Sequence, residues 1–127
     1  MNRPGIAEGF TDQGQLTPGN LIAGEYPRIT RIVTVTGGTA LTAGAVLGQI
    51  SADDRYQLSE AGSSDGSEIP DAILGEDIDT SAGDAQALVY LTGEFNALAL
   101  TLGAGHTVDS VRQAFRTRSL FLRRNQP

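Results

Sequence analysis

The stretch that decides the fold is residues 29–36, Ile-Thr-Arg-Ile-Val-Thr-Val-Thr, in which apolar and polar side chains alternate. Successive side chains of a β-strand point to opposite faces, so alternation predicts a half-buried strand. One face of this strand carries the odd-numbered side chains: Ile29, Arg31, Val33 and Val35. Gly37 and Gly38 follow and end the strand. We therefore predict a mainly β domain that begins at residue 29.

Four further strand segments extend this domain. Residues 46–50 are mostly apolar, and residues 56–58 follow a turn-prone Asp53-Asp54 pair, which predicts a short hairpin. Residues 87–92 are apolar on both faces, as in a strand at the centre of a sheet. Residues 119–122 form the last predicted strand.

One helix is predicted at residues 108–116, with Thr107 as its N-cap and Asp109 in its first turn. Between residues 53 and 84 we expect an acidic loop, with one helical turn at most over 69–74. The spacing of apolar residues in 95–102 fits a helix and a strand equally, so both remain open there. Residues 32–52 are uncharged but rich in threonine and glycine, which favours strands and turns over a membrane helix.

The composition excludes several classes of chemistry. The 127 residues include no cysteine and no lysine, which removes thiol nucleophiles, thiolate metal sites and Schiff-base catalysis. The net charge of -6 opposes a bulk surface that binds nucleic acid. We expect no direct nucleic-acid partner and no membrane partner. The apolar fraction of 39% and the aromatic fraction of 6% predict a thin core, part of which partners would have to supply.

Two patterns imitate functional motifs. Gly62 to Gly66 match the G-x-S-x-G pattern around Ser64, and His106 lies downstream, but the polar flanks do not fit a strand-turn-helix elbow. Residues 77–84 suggest a calcium loop, yet Ala82 occupies the position of the required glycine and Leu88 that of the final glutamate. We expect no catalytic, metal or cofactor site, and we expect His106 to order the turn before the helix or to be exposed.

Arginines are concentrated near the end of the chain: Arg112, Arg116, Arg118, Arg123 and Arg124. Arginine pairs well with phosphate, so nucleic-acid binding is one interpretation of this cluster. We favour ion pairs with the acidic residues of 53–84, in the same subunit or in a neighbour.

Residues 1–28, here called the N-terminal arm, are punctuated by glycines and prolines and contain isolated apolar residues. We predict an extended, flexible segment that binds a partner, followed by a β-rich domain at 29–127. The side chains available for that partner are Ile6, Phe10, Leu16, Leu21 and Ile22.

The order of short segments from residue 29 to residue 122 resembles the lambda-type head decoration proteins of tailed bacteriophages. The segments that carry the resemblance are residues 31–35, 41–50, Tyr56, 65–67, 72–74, 77–80 and 90–96. The resemblance implies a small barrel of the β-clip or β-tulip type with one or two short helices, assembled as a homotrimer. It also implies a structural protein without catalytic site or cofactor, made in the host cytoplasm and bound to the outer surface of the expanded head at local three-fold sites. There it would stabilise the shell against the pressure of packaged DNA.

The resemblance further implies that the N-terminal arm adds a strand to a sheet of the major capsid protein. Pro4, Pro18 and Pro27 cannot donate ladder hydrogen bonds, which places that strand at 5–17 or 20–26. Two other functions remain open. One is a tail or fibre module of the virion, and the other is a small trimeric metal-dependent hydrolase that uses acids of residues 53–84.

Overall fold

The computed structural model describes residues 21–24 and 26–123, and within these it contains nine strands, one α-helix and two short 3-10 turns. The strands are β1 (Thr30–Val35), β2 (Ala40–Leu41), β3 (Val46–Gln49), β4 (Tyr56–Leu58), β5 (Ala72–Leu74), β6 (Ile78–Asp79), β7 (Ala85–Tyr90), β8 (Gly93–Asn96) and β9 (Leu120–Arg123). The helix is α1 (Val108–Phe115), and the 3-10 turns are Ala97–Ala99 and Arg116–Arg118.

Five of the strands close a small barrel in the order β1-β4-β3-β5-β7. Strand β7 pairs antiparallel with β1 over six residues and with β5 on its other side, which confirms its predicted central position. Strands β3 and β4 form the predicted hairpin, with Leu47 opposite Leu58. Strands β1 and β4 are parallel and meet only at Val35 and Tyr56. The prediction of a mainly β fold with a small barrel is confirmed.

The apolar side chains form two cores that lie on the two faces of the barrel wall. The first core lies inside the barrel and the second lies between the barrel and the α1, β8 and β9 layer. Neighbouring residues of β7 belong to different cores: Val89 lies in the first core and Tyr90 in the second. This division explains why β7 is apolar on both faces.

The segment 69–74 differs from its prediction. It contains no helical turn, because β5 is inserted between β3 and β7, where Ile73 pairs with Val46 on one side and with Tyr90 on the other. All three residues of β5 are buried, and a strand buried on both faces shows no alternation that would reveal it. Ile73 and Leu74 are both fully buried.

Helix α1 is confirmed, with its end one residue earlier than predicted. Thr107 is its N-cap: its Oγ1 accepts a hydrogen bond from Ser110 N, and Ser110 Oγ accepts one from Thr107 N. Val111 and Phe115 face the second core. The 95–102 segment resolves into the end of β8 and the 3-10 turn Ala97–Ala99.

The last strand, β9, is confirmed, and it runs parallel to β8 with Leu120 opposite Gly93. Residues 32–52 are strands and turns, as expected. In the part of the chain that the structure describes, no helix is long and apolar enough to cross a membrane.

Candidate functional site

The base of the N-terminal arm lies on β8. Ile22 forms an antiparallel bridge with Phe95, Asn96 N donates to Leu21 O at 2.7 Å, and Ala23 N donates to Glu94 O at 3.0 Å. The chain therefore enters the domain as a short strand along one edge of β8. Strand β9 occupies the other edge.

The five predicted arm residues fall into two groups. Ile6, Phe10 and Leu16 lie outside the described residues. Leu21 is fully buried in the second core, and Ile22 is half-buried against it. In this conformation Leu21 has no exposed surface to offer a partner, because it fills the domain's own core.

Aromatic and charged side chains hold the segment after Ile22 against β9. The rings of Tyr26 and Phe121 meet edge to face with their centroids 5.0 Å apart. Arg123 Nη1 donates to Ala23 O at 3.2 Å, and Glu94 Oε1 accepts from Tyr26 N at 3.1 Å. The end of β9 and the segment that contains Ala23 and Tyr26 thus form one surface. Sequence reasoning missed it, because it depends on a parallel pairing of strands that lie far apart in the sequence.

Two large apolar side chains are exposed at the start of β1. Val33 and Val35 point into the barrel, whereas Ile29 on the same predicted face lies beyond the barrel end and is 56% exposed. Ile32, on the opposite face, is 58% exposed. Both isoleucines are therefore exposed in the single chain, on opposite sides of the strand line.

The single histidine is a structural residue, which agrees with the expectation that it orders the turn before the helix. His106 Nε2 lies 2.9 Å from Glu68 O and 3.2 Å from Ser59 Oγ, and Nδ1 lies 2.9 Å from Ser110 Oγ. A carbonyl oxygen only accepts, so Nε2 carries the proton. Neither ring nitrogen has Ser64 as its partner; that serine is exposed in its loop.

The carboxylates of residues 53–84 mainly hold turns and arginines. Asp77 Oδ1 accepts from Ala43 N at 2.9 Å, and Asp79 Oδ1 accepts from Ser81 N at 2.9 Å. The Ser81 hydrogen bonds lower the pKa of Asp79 below its usual range. Among the described residues, no three His, Asp or Glu side chains form a group that could hold a metal ion.

Two further acids of this region, Asp53 and Asp84, share Arg55. Its guanidinium contacts Asp53 at 2.8 Å and Asp84 at 2.9 Å. The hydrogen bonds from Arg55 lower the pKa of Asp53, and those from Thr36 and then Arg55 lower the pKa of Asp84. This cluster fastens the β3–β4 turn to the turn before β7.

The arginines near the end of the chain contribute in part to ion pairs, as favoured from the sequence. Arg118 Nε donates to Asp71 Oδ1 at 2.7 Å, which is the predicted kind of pair between this region and the acidic segment. Arg112 pairs with Asp109 on its own helix. Arg116 has no ion-pair partner among the described residues, and Arg124 lies outside them.

Comparison with known proteins gives one family. No curated protein matches the chain. The family model described as bacteriophage lambda head decoration protein D matches residues 11–120, which include the barrel, helix α1, β8 and the first residue of β9. That family is structural and belongs to the phage capsid. Because the match covers most of the chain, the protein belongs to the bacteriophage lambda head decoration protein D family.

Proposed function

We propose that this protein is a cementing subunit that binds as a homotrimer to the outer surface of an expanded phage head. It occupies local three-fold sites and stabilises the shell against the pressure of packaged DNA. The observation that carries the proposal is the family match over residues 11–120. Decoration of a phage capsid is the role of that family.

The way in which the chain enters the domain supports an arm that adds a strand to the major capsid protein. Leu21 and Ile22 already run antiparallel to β8, with backbone hydrogen bonds from Asn96 N and Ala23 N. In this proposal the arm upstream of Leu21 binds the shell protein as an extended strand. The arm then binds by main-chain hydrogen bonds, and Ile6, Phe10 and Leu16 enter pockets of the shell protein. Leu21 instead anchors the arm to the domain.

Exposed apolar side chains support assembly into a larger particle. Ile29 before β1, Ile32 in β1 and Leu98 in the 3-10 turn are each more than half exposed in the single chain. Burial of such surface contributes about 25 cal/mol per Å². A trimer also presents three arms at once, so the second and third arms bind at high effective concentration.

The proposal is tested by sedimentation of the free protein and by pelleting with expanded and unexpanded shells. We expect a trimeric mass, binding to expanded shells only, and loss of binding when residues 2–17 are deleted. This deletion leaves Leu21 and Ile22 in place, so the domain core is intact. A monomeric mass, or imaging that places the protein on the tail, would contradict the proposal. Normal binding by the deleted protein would contradict the arm mechanism alone.

A further inference from the structure

A groove of about 290 Å³ lies between α1 and β9. Its helix side is formed by Arg112 and by Arg116 of the following 3-10 turn, and its strand side by the successive residues Leu120, Phe121 and Leu122. Three consecutive residues of β9 therefore border the groove. We call it the α1–β9 groove.

Among the described residues, one edge of β9 has no strand partner. The strand bonds to β8 through its other edge, and no further strand in the described ranges pairs with it. The unpaired N–H and C=O groups of an edge strand are a template for another extended chain. A helix beside such an edge provides the second wall against which the side chains of the added chain pack.

The charge of the groove defines what it binds. Within the described residues Arg116 has no ion-pair partner. Among these same residues Arg112 forms an ion pair only with Asp109, whose side chain is 91% exposed. The guanidinium group matches a carboxylate with two parallel hydrogen bonds. In a chain of net charge -6, this is a local basic surface with an apolar floor. An extended segment in which Asp or Glu alternate with apolar residues is complementary to it.

The position of the groove identifies the source of that segment. Residues 1–20 precede Leu21, which lies along β8, and residues 124–127 follow β9, so both ends of the chain leave from the sheet that borders the groove. An arm bound to the shell therefore brings this sheet close to the same surface.

We propose that the α1–β9 groove docks an extended acidic segment of the shell protein that the arm binds, as a strand added to β9. This inference rests on the proposed function, because the arm contact places the shell beside the groove. The groove adds a second, charge-dependent contact to the apolar and backbone contacts of the arm.

The test compares full-length proteins in a quantitative binding assay with purified expanded shells. The variant Arg112→Glu/Arg116→Glu reverses the charge of the groove, and we expect its Kd to rise by about tenfold or more, which is about 1.4 kcal/mol. The control is Ser64→Glu, which adds a negative charge to an exposed loop residue that does not line the groove; its Kd should change by less than about twofold. Arg116→Lys keeps the charge but not the planar fork, so we expect an intermediate Kd.

The outcomes separate the two proposals. If the wild-type protein does not bind shells, the proposed function fails and the inference fails with it. If the wild-type protein binds and the double variant binds equally well, only the groove proposal is overturned. Loss of the oligomeric mass in the double variant would identify a contact between copies and would also overturn it. Circular dichroism verifies folding, and Arg116→Gln with the same expected direction replaces the double variant if that variant unfolds.

Discussion

Arg118 Nε donates a hydrogen bond to Asp71 Oδ1 at 2.7 Å and thereby joins the helical layer to the barrel. Arg118 Nη1 also donates to Ala114 O near the end of α1, and the Tyr56 hydroxyl lies 3.5 Å from Asp71 Oδ2. Burial and then the Asp71 charge raise the pKa of Tyr56, so its hydroxyl stays protonated and can donate. The pair connects the residue before β5 to the residues before β9.

We predict that Arg118→Ala lowers the free energy of unfolding by about 1–2 kcal/mol, which lies between the values for exposed and buried pairs. The two side chains are 32% and 28% exposed, so solvent screens them only in part. The matched control is Arg112→Ala, whose i,i+3 pair with Asp109 is largely in solvent and should contribute about 0.2–0.5 kcal/mol. Urea unfolding measures the free energy of unfolding of both variants. Equal losses of stability would contradict the structural role of the Arg118–Asp71 pair.

We predict that Leu21→Ala lowers the free energy of unfolding by about 2–5 kcal/mol, because it leaves a cavity in the second core. Ile22→Ala, one position further along, removes a half-buried side chain and should cost about half as much. Thermal unfolding at equal protein concentration measures the two variants. Wild-type stability of Leu21→Ala would place residue 21 in the arm, as the sequence suggested, and not in the core.

The elements that sequence reasoning recovered are those with a local signal. Alternation identified β1, and the Thr107 cap with its apolar stripe identified α1. Strand β5 has no such signal, because its three residues are buried on both faces and follow Pro70, which suggested a helical turn. Pairing partners were recoverable only for the β3–β4 hairpin, where the connection is short.

The surface around β9 was harder to predict than the barrel. Arg112 and Arg116 are four residues apart on the helical layer, which signals a shared face but not what lies opposite. Phe121 enters the groove only because β9 returns to pair with β8, a contact between distant segments. Leu21 was assigned to the arm because it is isolated among glycines, and its burial depends on the same returning strand.

We predict that Gly48→Ala lowers the free energy of unfolding by about 1–3 kcal/mol. A Cβ on Gly48 would lie 2.1 Å from Ser67 O, and a backbone atom cannot move aside without displacing the loop. Gly62→Ala is the matched control, because a Cβ there meets nothing within 4 Å. Chemical denaturation of both variants measures the difference. Equal stabilities would show that the loop yields to the added methyl group.

The fourth prediction concerns Asp65, whose pKa is lowered by hydrogen bonds from the Ser67 hydroxyl and backbone and from Gln57. The unfolded chain binds the proton at a higher pH than the folded chain, near the ordinary value of 3.8. The stabilisation is therefore complete above that value and is lost as the pH falls through the lower folded pKa. Asp65→Asn has no ionisable carboxyl group, so it lacks this stabilisation at every pH.

Consequently, wild type and Asp65→Asn should differ in their urea midpoints at about pH 7, and the difference should shrink at about pH 2.5. Ser67→Ala removes the hydroxyl donor, which is 2.6 Å from Asp65 Oδ1, while Ser67 N still donates at 3.0 Å. In that background the pH 7 difference between Asp and Asn at position 65 should be smaller, because the pKa of Asp65 is less depressed. A difference that is the same at both pH values would mean that residue 65 acts through its shape and not through its charge.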